Sequence, residues 1–301
     1  MKQTLQTVNP SDNQWVYANF YTIPNPKQLL VIFHGMAEHK ERYDDFALFF
    51  NKQGFNVLVC DHRGHGQSLF EGHIKGHFAN QDGWFLNLED LHDLIKQAQS
   101  ISQVETYALL GHSMGSIVAQ SYFKRHKQEV SHLILTGVPE IPVGLKGLQL
   151  IAKAIAVFSK TQPSHLLYQS SFAKFDKKTP SQAPLAWLSH DQDNIKAYQA
   201  DPLCGFKFTN QGLVDLLDGF YDVRHFNQMS DNLDTFIWFI VGEDDVSINV
   251  DQIQRQMRKY QDLGFSEVVI SMISNVAHEV LFDVERQALW DQIAYMFNDM
   301  K

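Results

Sequence analysis

The tightest constraint on how this chain can fold is a five-residue run in a particular setting. Gly111-His112-Ser113-Met114-Gly115 follows the apolar stretch Tyr107 to Leu110 and leads into an amphipathic segment that begins near Ser116. Strand, sharp turn and helix in that order put a serine on a strained corner, and a glycine two residues to either side lets strand and helix approach closely. Gly-x-Ser-x-Gly by itself recurs by chance; in this context it marks Ser113 as a nucleophile presented at the edge of a sheet.

The pattern around that corner agrees with it. Up to about residue 137, short β-rich apolar runs alternate with longer amphipathic ones, the signature of strands joined by crossover helices. The candidate strands are Trp15 to Tyr21, Leu29 to Phe33, Asn56 to Cys60, Tyr107 to Leu110 and His132 to Leu135. Helices are expected over Tyr43 to Gln53, Trp84 to Gln99 and Ser116 to Arg125, where apolar residues recur at three- and four-residue steps. From 138 to 232 the texture changes to helix-like segments separated by Pro142, Pro163, Pro180, Pro184 and Pro202. The earlier pattern then resumes with a strand from Thr235 to Val241, a helix from Val250 to Tyr260, a strand from Glu267 to Ile273 and a last helix from Val284 to Phe297. This predicts an α/β fold, a mostly parallel twisted sheet with helices on both faces, its core built from 1–137 and 233–301 and interrupted by a helical cap over 138–232.

A serine hydroxyl is a poor nucleophile near neutral pH, so it needs a base in hydrogen-bond reach and an acid to orient that base. Both belong on loops after the last strands, acid first. The strand ending at Val241 is followed by Gly242-Glu243-Asp244-Asp245, and the strand ending at Ile273 by Ser274-Asn275-Val276-Ala277-His278. His278 is therefore the candidate base. Asp245 is the favoured acid, with Asp244 next and Glu243 adjacent; two of these three carboxylates are expected to be no more than a solvated turn. The oxyanion of a tetrahedral intermediate calls for two backbone N–H donors, one from the residue after the nucleophile, Met114, and one from the loop after an early strand, where Met36 follows His34-Gly35.

Asp61-His62-Arg63-Gly64-His65-Gly66, with His73 and His77 nearby, has the ligand types of a zinc site. It follows a buried strand and contains two glycines, so it is read as a structural turn beside the nucleophile strand, with no metal and no cofactor expected. A net charge of −9 argues against nucleic acid as a partner. Two distant cysteines, Cys60 and Cys204, fit neither a disulfide framework nor a zinc pattern, and the amino terminus lacks a signal-peptide apolar stretch, which together point to the cytoplasm. The most apolar window, Leu148 to Phe158, is interrupted by Lys153 and is about half of the ~20 residues a spanning helix needs, so it can lie against a membrane but not cross one.

His34-Gly35-Met36-Ala37-Glu38-His39 followed by Arg42-Tyr43, then Asp61-His62-Arg63-Gly64-His65-Gly66-Gln67-Ser68 and Gly111 to Gly115, resemble the monoacylglycerol lipase and lysophospholipase group of α/β-hydrolases. Trp187-Leu188-Ser189-His190-Asp191 and Asp201-Pro202-Leu203-Cys204-Gly205-Phe206 resemble the cap of its bacterial members. The resemblance extends over nearly the whole chain and implies the α/β-hydrolase fold, a triad of Ser113, Asp245 and His278, and an oxyanion hole from Met36 and Met114. Met36 departs from the small residues common at that position and is expected to narrow the acyl site. The implied reaction is hydrolysis of a single-chain lipid ester through an acyl-serine intermediate, with a monoacylglycerol or lysophospholipid as substrate. Ile141 to Phe158 has the leucine and isoleucine content to line an acyl tunnel, and Lys146, Lys153 and Lys160 are placed either to meet a head group or to form its solvated face. A short-chain carboxylesterase or an aminopeptidase of the same fold is the alternative. A non-enzymatic binding module would be favoured by loss of a triad member, and none is lost.

Overall fold

The structure, a computed structural model, describes residues 1–170, 172–181, 183–226 and 233–299. The expected end of the insertion at 232 lies outside the described residues, as do 171, 182 and 227–231 within it and the last two residues of the core.

Eight strands make one sheet: β1 (Lys2–Val8), β2 (Trp15–Tyr21), β3 (Gln28–Phe33), β4 (Phe55–Cys60), β5 (Tyr107–His112), β6 (Val130–Thr136), β7 (Phe236–Gly242) and β8 (Val268–Ile273), in the spatial order β1-β2-β4-β3-β5-β6-β7-β8. β2 pairs antiparallel with β1 and with β4; every other pairing is parallel. Central strands are apolar on both faces because both faces are covered. Leu29, Val31 and Phe33 of β3 point into a core shared with Leu91 and Ile95 of α2 (Gly83–Ser102), Ile117 and Tyr122 of α3 (Met114–His126), and Ile253 and Tyr260 of α9 (Val250–Asp262). Leu30 and Ile32 point the other way, onto Phe46 and Phe50 of α1 (Asp44–Lys52) and Leu289 and Ile293 of α10 (Arg286–Asp299). This is the α/β-hydrolase fold.

Between β6 and β7 the described residues form helices and no sheet strand: α4 (Leu145–Ser159), α5 (His165–Ser170), α6 (Phe172–Lys178), α7 (Gln192–Ala200) and α8 (Asn210–Arg224). α8 packs against α2, α3 and α4, and its Leu213, Val214, Leu217 and Phe220 join the main core together with Leu145, Ala152 and Ala156 of α4. This helical segment also grips the β3–α1 loop, since Tyr198 Oη and Gly205 N–H both donate to Ala37 O, at 3.0 and 2.9 Å.

Candidate active site

Parallel strands aim the chain at one edge of the sheet, and the loops leaving β3, β5, β7 and β8 meet there. Ser113 sits between β5 and α3 with φ 51° and ψ −120°, a conformation L-residues rarely adopt. The flanking glycines are required by contact. A Cβ on Gly115 would run into the carbonyl oxygens of Phe33 and His34, and one on Gly111 into that of Gly115.

The corner holds the Ser113 hydroxyl 2.9 Å from His278 Nε2. On the far side of the imidazole, Nδ1 donates to Asp245 Oδ2 at 2.7 Å, which leaves Nε2 as the acceptor. Asp245 Oδ1 is held by the Ser247 hydroxyl at 2.6 Å and the Ser247 amide at 2.9 Å. Burial by itself would raise the Asp245 pKa, but His278 and Ser247 bring it below the usual carboxylate range. Burial, the largest single influence, lowers that of His278, yet the Asp245 carboxylate, followed by Glu279 and Glu38, turns the net shift upward. Of the three neighbouring acids, only Asp245 reaches the imidazole. Asp244 is exposed, 3.7 Å from His190, and Glu243 is also exposed.

Met36 and Met114 both border the space above Ser113, and among the described residues neither backbone amide donates to a protein acceptor. The serine opens into a cavity of about 510 Å³. Its walls are mostly apolar and draw on Leu148 of α4, Trp187 and Leu188 before α7, and Leu213, Leu216 and Phe220 of α8. The expectation that Ile141 to Phe158 lines this space holds for Pro142, Val143 and Leu148, whereas Leu150 (71% exposed) and Phe158 (91% exposed) face outward. The α8 contribution was not singled out from sequence, because a buried amphipathic helix looks the same whether it lines a cavity or fills a core.

The Asp61 to Gly66 turn is held by protein partners throughout. Asp61 accepts from Lys40 Nζ at 2.6 Å, Lys40 N–H at 2.9 Å and Gln67 N–H at 2.9 Å, while Arg63 is paired with Asp90 and Asp12. Burial drives the pKa of His34, His62 and His65 down, which keeps these rings neutral. Elsewhere His39, Asp201 and Cys204 cluster, but both ring nitrogens of His39 are committed, Nδ1 to Glu41 at 2.7 Å and Nε2 to Asp201 at 2.8 Å. Burial would lower the His39 pKa; its bonds to Cys204, Glu41 and Asp201 raise it instead, to about 11. Through Asp201 it ties the helical segment between β6 and β7 to the β3–α1 loop.

Serine, imidazole and carboxylate in this sequence of contacts can pass a proton from hydroxyl to ring and expose an alkoxide to a carbonyl in the cavity. The chain is 29% identical over 110 residues to the probable lysophospholipase L2 of Haemophilus influenzae, covering 36% of this chain and 34% of that one. It is 29% identical over 180 residues to the monoacylglycerol lipase of Mycolicibacterium smegmatis, covering 60% and 57%. The matches thus span about a third and just over half of these relatives' own lengths. Among solved structures, a thermostable carboxyl esterase from Bacillus coagulans superimposes with a TM-score of 0.86 at 24% identity, over 99% of this chain and 98% of that one. The family model described as serine aminopeptidase, S33, matches residues 24–285, a span that takes in every strand from β3 to β8 and all the loops that converge on Ser113, and the chain belongs to that family.

Proposed function

We propose that this protein hydrolyses carboxylic esters of single-chain lipids, a monoacylglycerol or lysophospholipid, with Ser113 as nucleophile, His278 as general base, Asp245 as the acid that orients it, and the Met36 and Met114 amides as oxyanion donors. The observation that carries the reading is the contact chain from Ser113 through His278 to Asp245 at the floor of a deep apolar cavity. The names of two relatives, lysophospholipase and monoacylglycerol lipase, support the same substrate class. Residues 138–232 act as the cap that selects the acyl chain, and Met36 narrows its entrance.

An aminopeptidase needs a carboxylate free to hold the substrate ammonium. Glu38 and Glu279, the two buried acids at the cavity, are both bound to Arg42, whereas half-buried Glu140, which also lines it, meets the side-chain amides of Asn249 and Gln252 and among the described residues pairs with no cation, so it is the carboxylate on which that alternative would rest. Cys60 and Cys204 are free thiols, which suits a reducing cytoplasm.

Acyl-chain dependence tests the substrate. Each methylene moved from water into the cavity gains about 0.8 kcal/mol, about fourfold in rate. Leu148→Asn or Leu216→Asn is expected to lower kcat/KM on a dodecanoyl ester by about tenfold or more while changing that on a butyrate ester by about threefold or less. Equal losses on both, in folded variants, would leave a short-chain carboxylesterase as the better reading.

Among the described residues no helix is long and apolar enough to cross a membrane. α4 nevertheless presents Leu150, Ile151, Val157 and Phe158 to solvent, and this apolar row supports peripheral contact of the cap with a lipid surface. Lys153 is near Asp218 and Lys160 donates to Asn80 O, so the apolar row rather than the lysines carries the contact. Phe158→Asp should abolish co-sedimentation with phosphatidylcholine vesicles; retention of binding would remove α4 from the interface.

A further inference from the structure

Arg42, in the β3–α1 loop, is a largely buried cation, 10% exposed, shared by two carboxylates far apart in sequence. Its Nη1 contacts Glu38 and lies 2.7 Å from Glu279 Oε1, and its Nη2 lies 2.8 Å from Glu279 Oε2. Asn194 of α7 closes the arrangement, accepting from Arg42 Nη2 at 3.0 Å and donating to Glu279 Oε2 at 2.7 Å. The guanidinium lies over the rings of Tyr198 and Phe282, 4.9 and 4.7 Å from their centroids. Planar, bidentate pairing of this kind fixes direction as well as distance.

What these partners hold is the point. Glu38 Oε1 accepts the N–H of Gly35, the residue before Met36, and also the Tyr43 hydroxyl. Glu279 directly follows His278, and its own N–H is bound to Leu188 O at 2.7 Å. Both carboxylates border the cavity at Ser113. One guanidinium therefore ties together the loop that offers an oxyanion donor, the loop that offers the base, and a cap helix.

We propose that Arg42 is a positioning residue for the reaction at Ser113: through Glu38 and Glu279 it holds the Met36 amide and the His278 imidazole in register with each other. The proposal rests on the serine-hydrolase reading given above. It explains why three charged side chains are buried where apolar ones would cost less desolvation.

The arrangement is readable in a pH profile. The titratable and charged groups facing His278 are Asp245 from the loop after β7, His112 from the end of β5, Glu279 from its own loop, and Glu38 with Arg42 from the β3–α1 loop. His112 is neutral, burial having lowered its pKa to about 3. Burial lowers the His278 pKa, but Asp245 first and then Glu279 and Glu38 raise it, leaving it above the ordinary 6.5. Only the neutral ring can take the serine proton, so kcat/KM rises as pH passes upward through that pKa. Glu279→Gln removes one negative charge, which lowers the pKa and moves the ascending limb to lower pH.

The experiment measures kcat, KM and the pH dependence of kcat/KM on an aryl ester for the parent, Glu279→Gln, Arg42→Lys and Arg42→Gln, with Ser113→Ala as control. In Glu279→Gln the ascending limb is expected to move acidward by about half a pH unit or more. Its kcat should fall by about tenfold or more with KM changed by about threefold or less, because register rather than affinity is lost. Arg42→Gln should lose more and Arg42→Lys less, and if Arg42→Gln does not fold the other two variants decide. Folded Glu279→Gln and Arg42→Lys with parental kcat and an unmoved limb would overturn the positioning role. Activity retained by Ser113→Ala would instead overturn the assignment of the site itself.

Discussion

Ser113→Ala is expected to abolish ester turnover and fluorophosphonate labelling in a protein that remains folded. Among the described residues the Ser113 hydroxyl reaches one protein group, His278 Nε2 at 2.9 Å, and it faces a cavity, so removing it breaks little packing. Alanine keeps the Cβ and therefore the same backbone demand at φ 51° that serine already meets. The loss should be on the order of 10³-fold or more, what remains being supplied by the oxyanion donors and substrate binding alone. Intact-mass analysis of the labelled parent and variant, with turnover measured alongside, settles it. Covalent label on another serine would sink the assignment.

The second large effect separates neighbours. Asp245→Asn should lower kcat on the order of 10³- to 10⁴-fold, and Asp244→Asn by about twofold or less. Asp245 is buried, accepts the His278 Nδ1 proton at 2.7 Å and is fixed by two bonds from Ser247, so losing its charge removes what stabilises the imidazolium formed during attack. An amide there can also present N–H to Nδ1, which favours the wrong tautomer. Asp244 has half its side chain in water, and among the described residues His190 is the one basic side chain within 4 Å of its carboxylate. The reverse ranking would shift the acid by one residue.

The central strands were legible because parallel strands covered on both faces appear as unbroken apolar runs, and Leu29 to Phe33 and Tyr107 to Leu110 lie within β3 and β5. β1 escaped. Its sequence, Lys2 to Val8, is largely exposed and paired on one side only, so it carries no apolar alternation to detect. Ser113, Asp245 and His278, named from their places after strands, meet in the structure. Choosing Asp245 over Asp244 depended on a turn whose two neighbours point opposite ways, which residue type cannot report. The Arg42 bridge was out of reach for a different reason. Glu38 and Arg42 stand four apart in a recognisable motif, but Glu279 is 237 positions from Arg42, and only the folded sheet brings them together.

α8 has a consequence for how this chain can change over generations. β6 ends at the edge that carries Ser113 and its parallel neighbour β7 must start at the opposite one, so some element has to carry the chain back. α8, packed on α2 and α3, makes that return while also supplying Leu213, Leu216, Leu217 and Phe220 to the cavity. α5 and α6 have no such duty and can lengthen, shorten or drift without disturbing strand register, whereas α4 is packed on α8 and α7 supplies Asn194 to the Arg42 bridge. Substrate preference is thus divided between a portion of the chain open to rapid divergence and a portion that the sheet holds to a slower clock.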